Sequence, residues 1–344
     1  MSKIGLVAIG RNEGERLRRC LESAVGKVDR IVYVDSGSTD GSLEFARSLG
    51  IDVLELDPSK PFASPRSRNE GFFHLLKLEP DLDYVQFVDG DCELVDGWLE
   101  KAERTLNERP DVAVVCGRRL ELFPEQSIYN KLCDIEWNTP VGEAKACGGD
   151  SLMRPEVFQS VGGFNPTLIG GGEPELCVRL RREGWKILRI EADMTRHDAA
   201  ILSFRQWWNR NRRVGHAYAE GSWLHGRTPE RHWVRESWSI WFWGLAIPLL
   251  VLATLLPSQG WSLLLLLGYP VSIARTIVRS QSQQGLTFKE AVLFSTFCSI
   301  AKFPLVLGQL QFHFNRLRGH KTKLVEYKAV EAMESAIDTP QAEM

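Results

Sequence analysis

No two of the seven cysteines (Cys20, Cys92, Cys116, Cys133, Cys147, Cys177 and Cys298) are spaced as CxxC, and their number is odd. That excludes an evident zinc site or disulfide framework and suits reduced thiols. Neither sign of charge is in excess: the formal net charge is −2 and no long charge run stands out, so nothing argues for a nucleic-acid partner. Internal repeats and low-complexity segments are also lacking. The opening "MSKIGLVAIG" has too short an apolar run for a signal peptide and passes straight into "RNEGERLRR". The N-terminal part is therefore expected to lie in the cytoplasm. The most informative shortage is local. Between Ser237 and Val278 the only charged residue is Arg275, in a chain that is 25% charged overall.

That shortage divides the chain. Its 344 residues exceed what one compact core usually holds. The first two hundred are ordinary globular sequence, and the C-terminal third reads as membrane-associated. Two stretches, at about 237–256 and 260–278, are each long enough to cross a hydrocarbon core of roughly 30 Å. The link "PSQG" between them allows only a tight turn, so they form a hairpin. Arg227, Arg231 and Arg235 precede it and Arg275 and Arg279 end it, which places both ends on the cytoplasmic side. A third apolar stretch, about 288–312, carries Lys302 and Pro304 at mid-segment, and a span there would put "NRLRGHKTK" outside. It is expected to be interfacial or re-entrant, with a third span as the alternative, followed by a cytoplasmic tail at 313–344.

Strand and helix alternate through the first ninety residues. "KIGLVAIG" leads into a helix with Leu17, Leu21 and Val25 at helical spacing. "RIVYV", "IDVLELD" and "YVQFVDGD" read as further strands, with helices between them. This alternation predicts an α/β domain over residues 1–225, with a mostly parallel, Rossmann-like sheet and helices on both faces, followed by the membrane-associated region 226–344. In such sheets ligands bind beyond the carboxyl ends of the strands, where the Asp35 and Asp89 loops lie. Asp89 and Asp91 flank Gly90, and the neighbouring "VDSGSTDGS" clusters acid, hydroxyls and glycine. Hard oxygen ligands of this kind suit Mg²⁺ or Mn²⁺, which in turn carry a diphosphate. Taken alone, Asp-Gly-Asp is as much a turn as a ligand site.

In order along the chain, "VAIGRNEGERLRRCLES", "VYVDSGSTDGS", "PRSRNEGF", "FVDGDCEL", "GGDSLMRPEVFQSVGGFNP" and "GGGEPELCVRLRREGWKI" resemble the landmarks of family 2 glycosyltransferases with the GT-A fold, over about residues 3–197. The resemblance implies inverting transfer of a sugar from a nucleotide-sugar to an acceptor hydroxyl, with Mn²⁺ or Mg²⁺ as cofactor. It places the nucleotide beside Asn12, Asp35, Ser36, Arg68, Asn69 and Asp89, the cation on Asp91 with His197 as a further ligand, and the catalytic base at Glu173. Many relatives have Asp where Ser36 stands and Glu-Asp where Gly172 and Glu173 stand, and Glu175 is a rival for the base. "FRQWWNRNRRVGHAYAEGSW" is either an amphipathic helix on the membrane surface or a loose form of the family's acceptor-facing Gln/Arg-x-x-Arg-Trp element, with Arg210 or Arg213 on phosphate.

The membrane anchor points to a lipid-linked saccharide acceptor in cell-surface polysaccharide assembly, with the catalytic domain on the cytoplasmic side of the inner membrane. Two rival readings are a catalytically silent nucleotide-sugar-binding membrane scaffold and a sugar nucleotidyltransferase. The latter wants a glycine-rich phosphate loop with a lysine near the first strand, and "AIGRNEGERLR" offers neither.

Overall fold

The structure, a computed structural model, describes residues 2–319; most of the tail expected at 313–344 lies outside the described residues. The described residues divide into two compact units, one of residues 2–125, 131–199 and 228–232 and the other of 126–130, 200–227 and 233–319.

The first unit is built on one sheet. In chain order its elements begin β1 (Ile4–Gly10), α1 (Glu15–Ala24), β2 (Arg30–Asp35), α2 (Ser42–Ser48), β3 (Asp52–Glu55), α3 (Ser64–Leu78), β4 (Tyr84–Asp89), β5 (Cys92–Leu94) and α4 (Trp98–Glu108). They continue with β6 (Val112–Glu121), α5 (Ile128–Trp137, whose start belongs to the second unit), β7 (Gly142–Glu143), β8 (Ser151–Met153), α6 (Pro155–Ser160), α7 (Gly172–Arg182) and β9 (Lys186–His197). The strand order is β3-β2-β1-β4-β8-β6-β9-β5, with β7 on β9. The pairings β1–β2, β1–β4, β2–β3 and β6–β9 are parallel, and the short strands β5, β7 and β8 pair antiparallel. The expected alternation is present. The near-continuous apolar runs of β1, β2 and β4 are buried, as strands covered on both faces require.

Two details follow from local geometry. In α1, Leu17, Cys20, Leu21 and Ala24 are buried, whereas Val25, expected on the core face, is 44% exposed. The helix ends at Ala24 and Val25 turns to an extended conformation, which takes its side chain off the helical stripe. In α3, Gly71 lets the helix lie directly on β1 and β2, because a Cβ there would stand 2.5 Å from Val34 Cγ2 and 2.6 Å from Val7 Cγ1. All seven cysteines are free thiols.

The second unit is helical. It holds α8 (Phe204–His225) and three helices long and apolar enough to cross a membrane, Val234–Thr254, Trp261–Gln284 and Phe288–Leu317. The sequence boundary had been expected at 225, yet α8 clusters with this second unit. The cause is close packing: a Cβ on Gly215 would meet Leu305 O at 2.1 Å, and one on Gly308 would meet Arg212 O at 2.0 Å. Small residues let the two backbones touch. The helix Val234–Thr254 contains a π-helical turn at Phe242–Ala246. Phe288–Leu317 is interrupted at Ala301, three residues before Pro304, whose missing N–H removes a helical hydrogen bond at that point. This third segment satisfies the length and composition of a span, as the first two do.

Substituting Gly71→Ala tests the α3 contact. Alanine favours helix by about 1 kcal/mol, but overpacking two stiff valines costs about 1–3 kcal/mol. The expected result is a lower melting temperature for the full-length protein. An unchanged or raised value would mean that the helix does not sit this close to the sheet.

Candidate active site

β4 ends at Asp89, β1 at Gly10 and β2 at Asp35, so three loops open along one sheet edge. Asp35 is 1% exposed; its Oδ1 accepts from the Tyr33 hydroxyl and its Oδ2 from the amides of Gly37 and Ser38, both at 2.8 Å. Asn12, in a left-handed conformation (φ 53°), donates its amide to Ser38 Oγ and accepts from the Thr39 amide at 2.7 Å. These bonds tie the loop after β1 to the loop after β2. Ser36 is buried, with its Oγ 3.4 Å from Ser67 Oγ.

The densest feature is a charge network around Arg68. This residue of α3 is 2% exposed, and its guanidinium donates to Asp89 Oδ1 at 2.5 Å and to Glu173 Oε1. Asp89 comes from the end of β4 and Glu173 from the first turn of α7, where anionic side chains are favoured by the helix dipole. Arg119, on β6, pairs with Asp150 at 2.8 Å and lies 3.7 Å from Asp89. Asp150 is fully buried and also accepts from the Asp89 amide and the Thr195 hydroxyl. Burial opposes the charge on Arg68, but Asp89, Glu173 and Asp150 outweigh it and raise its proton affinity. Arg119 behaves in the same way, with Asp150 the foremost of its partners. Space for this network depends on Gly149, where a Cβ would fall 2.7 Å from Asp89 Oδ2 and 2.9 Å from both Arg68 and Arg119.

Asp91 points elsewhere. Its Oδ2 is 3.2 Å from His197 Nε2, and β5 and β9 pair antiparallel with Cys92 opposite His197. Both side chains are mostly buried, and the imidazole stands edge-on to Trp137 at 4.7 Å between ring centres. Two ligands bound side by side on an octahedral Mg²⁺ or Mn²⁺ at about 2.1 Å stand about 3.0 Å apart. The carboxylate–imidazole pair is therefore spaced as a cation site requires. Cys92 lies within reach of the same groups. Burial, with Asp150 next, pushes its thiol well up.

The residues expected from the sequence divide clearly. Asp89, Arg68 and Glu173 meet in one network; Asp91 and His197 meet in a second. Asn69 is spent on structure: its amide donates to Phe164 O at 2.7 Å and accepts from the Phe164 amide at 2.9 Å. Arg66, at the start of α3, binds Glu70 and the carbonyls of Asp57, Lys60 and Pro61, so it holds a loop. Glu175, the rival base, is 3% exposed and bound through both oxygens to Arg179. In α8, Gln206 completes a capping box with Ser203, and Trp207 is buried edge-on to Phe297 at 5.1 Å. Asp150 and Arg119 were missed. The signal available for Asp150 was its "GGD" context; Arg119 lies in what reads only as a strand.

Residues 7–140 match the family described as "Glycosyl transferase family 2". The chain is 26% identical over 189 residues to glycosyltransferase AglE of Haloferax volcanii, covering 51% of this chain and 60% of that protein. It is 28% identical over 170 residues to the succinoglycan biosynthesis protein ExoA of Rhizobium meliloti, covering 46% of this chain and 50% of that protein. The matches thus span between half and about three fifths of these relatives' length. Among solved structures, mannosyltransferase PcManGT of Pyrobaculum calidifontis, in complex with GDP-Man and Mn²⁺, superposes with a TM-score of 0.57 at 14% identity, covering 92% of this chain and 88% of that one. At that identity the likeness is one of fold. It is the GT-A fold with apolar C-terminal helices expected from the sequence.

Removing Arg68 leaves two carboxylates without their shared cation. Arg68→Ala is expected to destabilise the protein by about 3 kcal/mol, the low end for breaking a buried pair because both acids keep some contact with solvent. Arg68→Lys should recover only part, since one ammonium cannot bridge two acids as a planar fork does. Thermal melts of the three proteins check this, and full recovery by lysine would show that the bridge is not required.

Proposed function

We propose, from the match of residues 7–140 to glycosyl transferase family 2, that the chain transfers a sugar, with inversion, from a nucleotide-sugar to a hydroxyl of a lipid-linked saccharide during assembly of a cell-surface glycan. The observation that carries this reading is the Arg68 fork, which draws Asp89 and Glu173 to one point from segments far apart in sequence.

Inversion needs a base on the face of the sugar opposite the leaving diphosphate. Glu173 suits this role. One oxygen is held by Arg68, and the other takes no hydrogen bond among the described residues, so it is placed to accept the acceptor's proton. Glu175, clamped by Arg179, is not so placed. Asp91 and His197 would hold Mn²⁺ or Mg²⁺, which offsets the negative charge gained by the departing nucleoside diphosphate. Asn12, Asp35 and Ser36 shape the loops that would receive the nucleoside, and Asp89 is assigned to the ribose. Arg68 and Arg119 supply positive charge beside the diphosphate and hold Asp89 in place. Asn69 acts by fixing the chain at Phe164. The three apolar helices support a membrane-resident acceptor, with the catalytic unit on the cytoplasmic side of the inner membrane.

Full-length protein incubated with a panel of nucleotide-sugars and Mn²⁺ or Mg²⁺ tests the reading through release of nucleoside diphosphate. Glu173→Gln should bind donor as the wild type does and turn over about 10²- to 10⁴-fold more slowly. Asp91→Asn should lose metal-dependent turnover. Undiminished turnover in Glu173→Gln sinks the assignment of the base. Donor binding without turnover by the wild type would instead identify a nucleotide-sugar-binding scaffold.

A further inference from the structure

A polar cavity of about 400 Å³ lies among the three apolar helices of the second unit. Its lining includes four cations: Arg235 from the start of the first helix, Arg275 and Arg279 from the second, and Lys302 from the third. On the second helix Tyr269, Ser272, Thr276 and Arg279 also line it, at offsets of three and four residues that place them on one face. Up to Val278 the opposite face of that helix is apolar and outward-facing, with Val271 and Val278 both 68% exposed.

Four positive charges around one cavity in an apolar segment are unfavourable by themselves. A single Arg or Lys at the centre of a spanning helix costs about 2.5–3.5 kcal/mol, and less near the helix ends where Arg235 and Arg279 stand; like charges add mutual repulsion. Among the described residues none of the four forms an ion pair with an acid, and the Glu236 carboxylate acts on Lys302 only from beyond ion-pair distance. The interactions they do make are neutral ones, Lys302 with Ser239 Oγ at 3.2 Å and Arg279 with Gln283 at 2.8 Å. Close packing holds the arrangement in place, for a Cβ on Gly244 would fall 2.3 Å from Lys302 O. Gly244 belongs to the π-helical turn, which also carries the cavity-lining Trp243, and such turns often occur at functional sites. Arg235 lies at the entry of the first helix and Arg279 near the exit of the second, so in a hairpin both stand at one membrane surface, at the depth of lipid headgroups.

We propose that this cavity receives the phosphate head of a membrane lipid, the isoprenoid phosphate that carries the acceptor saccharide. A phosphate ester supplies up to about two negative charges and several acceptor oxygens, which two guanidinium forks and an ammonium match in charge and geometry. The volume lies in the range of small-molecule sites, about 300–1,000 Å³. The tail of such a lipid would remain in the bilayer, alongside the outward-facing apolar side chains of the second helix. This inference rests on the lipid-linked acceptor proposed above and assigns the place where its phosphate is held.

The test is a binding measurement without any nucleotide-sugar. Full-length protein in phosphatidylcholine nanodiscs is titrated with farnesyl diphosphate, farnesol and inorganic pyrophosphate, and a parallel preparation contains phosphatidylglycerol. Farnesyl diphosphate is expected to bind, farnesol not to bind, and pyrophosphate to bind at least about tenfold more weakly, a difference of about 1.4 kcal/mol. Lys302→Gln and the double substitution Arg275→Gln, Arg279→Gln should each weaken farnesyl diphosphate at least tenfold, while Arg275→Lys, Arg279→Lys recovers part of the affinity. Because neutralising a cation relieves repulsion in the empty cavity, the glutamine variants should melt no lower than the wild type without lipid. Phosphatidylglycerol competing as well as farnesyl diphosphate overturns the isoprenoid as source and leaves bulk phospholipid. The site itself is overturned if no phosphate lipid binds, if pyrophosphate binds as tightly as farnesyl diphosphate, or if normally melting variants bind as the wild type does. Donor hydrolysis measured on the same preparations keeps the two readings apart: lost lipid binding with intact donor turnover sinks only this inference, and the converse sinks only the transferase.

Discussion

A guanidinium with almost no access to water holds two carboxylates from different parts of the chain, and the first unit is organised around it. Arg68 stands on α3, Asp89 ends β4 and Glu173 begins α7. Burying any one of these charges alone would cost several kcal/mol, so the three elements are obliged to meet. Arg119 and Asp150 extend the same alternation of sign, and Gly149 leaves the room it needs. The result is a rigid rim of fixed charge at the carboxyl ends of parallel strands, where the proposed reaction develops and disperses negative charge.

Asp89 and Asp91 are separated only by Gly90 and yet do different work. Asp89 faces the two arginines, and Asp91 faces His197 on β9. Two carboxylates aimed at one point would repel each other. Here each has its own partner, two arginines for Asp89 and an imidazole for Asp91, so two positions one residue apart face different neighbours. Cys92 lies within reach of both groups, and burial pushes its thiol well up.

In the second unit the same electrostatic rule operates in an apolar setting and is left unbalanced. Among the described residues, Arg235, Arg275, Arg279 and Lys302 form no ion pair with an acid, and Glu236 acts on Lys302 only at longer range. An arrangement short of counter-charge within the protein is suited to one supplied from the membrane. The glycines at 215, 244 and 308 let the helices approach closely enough to hold the cations in place.

Much of this protein was legible from residue order alone. Alternating strand and helix patterns, the acidic ends of the second and fourth strands, the motif carrying Glu173 and the apolar runs after residue 237 are local properties, set by periodicity, turn chemistry and hydrophobicity. What only the folded chain decided depends on distance through space. Arg119 could not be recognised within a strand, nor could the different partners of Glu173 and Glu175 be told until one was seen on Arg68 and the other on Arg179. Asn69 looked like a nucleotide contact and is bound to the backbone of Phe164, and α8 looked like the end of the first domain and packs with the second unit through Gly215 and Gly308. The cationic cavity is of the same kind, since three of its charges stand on separate helices. Propensity acts over a few neighbouring residues, whereas the pairing of buried charge and the close approach of backbones are settled only when distant segments compete for the same space.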